Sequence, residues 1–62
     1  MNKDLSHINQ LLRRFGIYVY DRDRSNMLLM MEMEIKELYK AGLLDKKEYA
    51  EALLILRDRK EG

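Results

Sequence analysis

The sequence predicts an all-α fold, a small three-helix bundle with a C-terminal antiparallel helical hairpin. Three observations carry that prediction. Apolar residues recur at helical spacing through three stretches of the chain. Gly16 and Gly42 fall where the first two stretches end, the place of a glycine that closes a helix. No proline interrupts any of them. With 62 residues, the chain has room for one domain, spanning 1–62.

The first helix is expected over about residues 4–15, with Asp4 or Ser6 as its N-cap. Leu5, Ile8, Leu11, Leu12 and Phe15 form its apolar stripe, and His7 and Arg14 fall on the opposite side. Residues 17–20, "IYVY", alternate and favour extended backbone. With no partner strand they read as an extended connector lying across the helices. The second helix starts near Asp23 or Ser25 and ends at Ala41. Met27, Leu28, Met31, Ile35, Leu38 and Tyr39 share its inner face. Leu29, Met30 and Met33 point elsewhere, so the first half of this helix is apolar nearly all round. The third helix begins at Asp45, where "DKKE" is a variant of the capping box. Tyr49, Ala52, Leu53 and Leu56 make its inner face, Ile55 flanks it, and Leu54 lies off it. The short "GLL" connector sets the last two helices antiparallel. The polar tail from Asp58 is expected to fray.

Composition excludes more than it assigns. There is no cysteine, so disulfides and thiolate chemistry are unavailable. The hydrophobic share of 47% argues for a packed core and against disorder. In so short a chain, self-association is the remaining way to add burial. No apolar run is longer than the five residues of "MLLMM" at 27–31, too short to span a bilayer, and no leader pattern opens the chain. The expected location is cytoplasmic, with no membrane partner. A net charge of +1 makes no global case for a polyanionic partner. Locally, residues 1–24 carry a small basic excess: Lys3, Arg13, Arg14, Arg22 and Arg24 stand against Asp4, Asp21 and Asp23.

Nothing reads as catalytic. Ser6 and Ser25 sit at cap positions, and Ser6 adjoins His7 on the chain, which is no nucleophile–base geometry on a helix. Glu32, Glu34, Glu37 and Glu48 alternate with lysines as a solvated helix face does. Gly16 stands alone and makes no phosphate loop. No enzyme activity, cofactor or metal is expected.

Two surfaces remain as candidates. In "FGIYVYDRDR", residues 15–24, arginines suit phosphates and tyrosine faces suit bases. Arg13, Arg14, Tyr18, Tyr20, Arg22 and Arg24 form this candidate site for single-stranded DNA or RNA. The competing reading packs one tyrosine inward and lets Asp21 and Asp23 neutralise the arginines or cap the second helix. The other surface is Leu29, Met30, Met33 and Leu54, a candidate interface for a protein partner or a second copy of the chain. Its competing reading has the connector and the first helix cover these residues.

Two resemblances add to this. "IKELYKAGLLDKKEYAEALLIL", 35–56, resembles the helical hairpin of short C-terminal (SHOCT-type) domains. Over nearly the whole chain, "FGIYVYDRDR" followed by "ELYKAGLLDKKEYAEALLILR" resembles the YqgQ-like family of small Firmicutes proteins. The residues that carry it are Gly16, Tyr20, Asp23, Arg24, Leu38, Tyr39, Gly42, Tyr49 and Leu53. Where relatives tend to have Gly before the Asp-Arg pair, this chain has Arg22. The resemblance implies a three-helix bundle without an established activity, for which single-stranded nucleic-acid binding has been suggested.

Overall fold

A computed structural model describes residues 5–61. Three helices follow in order: α1 (Leu5–Arg13), α2 (Arg24–Lys40) and α3 (Lys46–Glu61). The described residues contain no strand. The α2–α3 hairpin is the most extensive packing, and α1 rests against both of its helices.

Local chemistry explains where each helix stops. At the end of α1 the Gly16 N–H donates to the Arg13 carbonyl at 2.9 Å, and Ile17 N–H reaches back to Leu12 at 3.0 Å. At the end of α2, Gly42 N–H donates to Tyr39 at 3.0 Å and Leu43 N–H to Leu38 at 2.9 Å. This pair of bonds is the Schellman closure, which needs a left-handed residue at the glycine position. Gly16 at φ +75° and Gly42 at φ +78° supply it. The Asp23 carboxylate caps α2 by accepting from the backbone N–H groups of Ser25 and Asn26. Ser6 lies inside α1, not at its cap, and Asp4 is outside the described residues.

The core is what the apolar spacing demands. Ile8, Leu11 and Leu12 of α1 meet Leu28, Met31, Ile35 and Leu38 of α2 and Ala52, Ile55 and Leu56 of α3. Leu44 of the short connector joins them, buried beneath the hairpin turn. Tyr39 and Tyr49 stack face to face across the hairpin seam, with ring centroids 4.0 Å apart and planes 2° from parallel. On the outside of the hairpin, Lys36 pairs with Glu32 at 3.0 Å. That hydrogen bond, with the carboxylate's charge, raises the Lys36 pKa above its ordinary value.

Three expectations are corrected. The Asp45 carboxylate caps α3 by accepting from Glu48 N–H at 2.7 Å. The Glu48 side chain, expected to complete the box, instead bonds Arg14 of α1 at 3.1 Å. His7 does not face away from the bundle: it is half-buried and lines a cleft of about 180 Å³ with Gln10, Arg14, Glu48 and Glu51. Finally, the chain is helical past Asp58, where the tail was expected to fray. The helix continues through Glu61, because "RDRKE" is rich in good helix formers of both signs.

Candidate nucleic-acid interface

The connector between α1 and α2 behaves as an alternating extended segment with one face on the core. Ile17 and Val19 pack against the buried cluster. Tyr18 and Tyr20 therefore point outward, and each is 79% exposed. Neither tyrosine packs inward, so that half of the competing reading is corrected.

Asp21 and Asp23 serve the backbone. Asp21 Oδ1 accepts from Asp23 N–H at 2.8 Å, and Asp23 Oδ1 accepts from Ser25 N–H at 2.9 Å. This agrees with the capping reading of Asp23. Neither aspartate neutralises an arginine among the described residues. Arg13, Arg22 and Arg24 enter no ion pair there.

The six proposed residues do not gather in one place. Arg13 joins Tyr18 and Tyr20 along a surface cleft of about 320 Å³, with Asn9 as a further wall. One guanidinium and two aromatic faces thus border one concavity, an arrangement able to hold an anion beside stacked planar groups. Arg22 is exposed at the bend that follows. Arg14 leaves the group: it reaches α3, pairs with Glu48 at 3.1 Å and lies over its neighbour Phe15, 5.5 Å from the ring centre. Arg24 stands at the start of α2 and shares a separate depression with Leu5, Ser6 and Arg59.

Arg59 is the basic residue that sequence reasoning missed. A signal for it exists. Position 59 follows Ala52, Ile55 and Leu56 at i+7, i+4 and i+3, so it continues the inner face of α3 beyond the apolar residues. It is accordingly half-buried at the end of the bundle.

The apolar candidates are also split. Leu29, Met30 and Met33 are 47%, 40% and 65% exposed, uncovered by the connector or by α1. At about 100° per residue they share a sector of α2 roughly 100° wide. Leu54 is 61% exposed but stands on α3, about 200° round that helix from Ala52. Among the described residues no group of three or more His, Asp or Glu side chains is placed to hold a metal. No helix there is long and apolar enough to cross a membrane.

A model of the YqgQ-like family matches residues 3–62. The chain belongs to that family. It is 39% identical over 54 residues to the uncharacterised protein YqgQ of Bacillus subtilis (strain 168), covering 87% of this chain and 76% of the relative. No solved structure matches it. The residues on which the sequence resembles the family fall on both kinds of role seen here. Gly16, Asp23, Leu38, Gly42 and the Tyr39–Tyr49 stack build the fold, whereas Tyr20 and Arg24 face solvent.

Proposed function

We propose that this protein is a non-catalytic module that binds single-stranded nucleic acid at the α1–α2 connector. The observation that carries this reading is the outward display of Tyr18 and Tyr20 beside Arg13, which nothing in the folding of the connector requires. Ile17 and Val19 seat the segment on the core, which leaves the two tyrosine faces open to a stacking ligand. Arg22 and Arg24, free of ion pairs among the described residues, extend the basic character past the tyrosines. Bases would stack on the tyrosines while arginines contact phosphates, a mode tolerant of sequence.

Fluorescence anisotropy of a labelled mixed-sequence single strand tests it. The expected Kd weakens steeply with salt, since each phosphate contact contributes about −0.7 to the log–log salt slope of a single strand. Arg22→Ala/Arg24→Ala binds more weakly and with a shallower slope. Arg14→Ala, whose guanidinium is turned to Glu48, leaves the slope unchanged. Salt-independent binding, or none at low salt, rejects the reading.

The exposed sector of α2 supports a second reading, self-association or capture of a protein partner through Leu29, Met30 and Met33. On that reading the sedimentation-equilibrium mass rises with concentration, and Met30→Lys/Met33→Lys returns the chain to monomer. A monomer at all concentrations whose protein contacts survive the double substitution removes it.

A further inference from the structure

We infer that Arg24 and Arg59 together form a phosphate-binding site at the end of the bundle. On the reading proposed above, it anchors the backbone of a strand whose bases stack on Tyr18 and Tyr20. Three helices build the site. Arg24 comes from the first turn of α2, Arg59 from the last turns of α3, and Leu5 and Ser6 of α1 supply the wall of a depression of about 230 Å³. No carboxylate lines it among the described residues, and neither arginine enters an ion pair there. The fold thus brings two like charges from residues 35 positions apart to one concavity, with no counter-charge lining it among the described residues. An anion seated there would neutralise both, and the planar guanidinium fork matches phosphate oxygens.

The geometry of α1 links this site to the tyrosine cleft. Ser6, Asn9 and Arg13 recur at i, i+3 and i+7, so they form a single stripe. One end of that stripe, Ser6, borders the arginine depression, and the other, Asn9 with Arg13, borders the cleft of Tyr18 and Tyr20. From Ser6 to Arg13 the helix rises roughly 10 Å. At about 3.4 Å per nucleotide along a stacked strand, that is about three nucleotides. A short polyanion laid along this flank would meet Arg13 and the tyrosines at one end and the Arg24–Arg59 pair at the other. The opposite flank of α1, with His7, Gln10 and Arg14, faces α3 and carries Glu48 and Glu51 across the cleft, which disfavours an anion there.

The test has two arms. In the first, inorganic pyrophosphate is titrated into the isotope-labelled chain and amide shifts are followed by NMR. In the second, a labelled single strand is titrated at several salt concentrations. Both use wild type, Arg59→Ala, and Arg57→Ala as a control on the exposed side of α3. Arg57 lines a separate cleft with Glu32 and Lys36. The expected result is pyrophosphate-induced shifts at Ser6, Arg24 and Arg59 that vanish in Arg59→Ala. Strand affinity then falls about threefold to fivefold, with the salt slope shallower by about 0.7. Arg57→Ala matches wild type in both arms. Salt-sensitive strand binding with no pyrophosphate shifts and no effect of Arg59→Ala overturns the phosphate site and leaves the proposed function standing. Pyrophosphate shifts without strand binding reject the proposed function and identify the pair as a site for free phosphates.

Discussion

Ile35→Ala is expected to leave the chain largely unfolded at room temperature. Ile35 lies at the middle of α2 with no solvent exposure, within the cluster that holds all three helices. Truncating a fully buried isoleucine costs about 2–5 kcal/mol, through lost burial and the cavity left behind. A core in a chain of this size rarely supplies more than about 3–5 kcal/mol of net stability. The two quantities are comparable, so the loss is close to the whole stability. Far-ultraviolet circular dichroism should show reduced helix content and no cooperative urea transition. Met33→Ala, on the same helix but 65% exposed, should keep the wild-type stability to within about 0.5 kcal/mol. An Ile35→Ala variant that melts like wild type would show that the three helices are not held by this cluster.

What the sequence made legible was mostly short-range. Gly16 and Gly42 mark their helix ends because a left-handed closure is a matter of five or six consecutive residues. Asp23 and Asp45 announce their caps for the same reason. The core followed from spacing alone: Ile8, Leu12, Leu28, Met31, Ile35 and Leu56 all sit where helical periodicity puts them. The period-two pattern of "IYVY" fixed that Tyr18 and Tyr20 share a side. It did not fix which side, because that depends on whether Ile17 and Val19 find the core, a tertiary outcome.

The candidate site was less legible because it depends on long-range pairing. Arg14 is next to Arg13 in sequence, yet the two serve different flanks of α1. A turn of about 100° separates neighbours on a helix, and Glu48, 34 residues away, decides the fate of Arg14. Arg24 and Arg59 border one depression because α2 begins where α3 ends, a consequence of the antiparallel hairpin. The hairpin was predicted, but the tail that carries Arg59 was expected to fray. Recognising the helix formers of "RDRKE" would have extended α3 and exposed the pairing.

Tyr18→Ala/Tyr20→Ala is expected to weaken single-strand binding at least tenfold while the fold survives. Both rings are 79% exposed, so their removal should shift stability by no more than about 0.5 kcal/mol. Stacking of a base on an aromatic side chain contributes about 1–3 kcal/mol, and about 1.4 kcal/mol corresponds to a factor of ten in Kd. Loss of even one full stack therefore meets the expected effect, and loss of both exceeds it. The salt slope should not change, because no phosphate contact is removed. That separates the tyrosines from the arginines, whose substitution flattens the slope. Tyr18→Phe/Tyr20→Phe keeps the aromatic faces and should bind like wild type. If the phenylalanine variant is as weak as the alanine variant, the hydroxyls and not the rings make the contact. If neither variant is weakened, the aromatic platform is wrong, and affinity must come from the arginines alone.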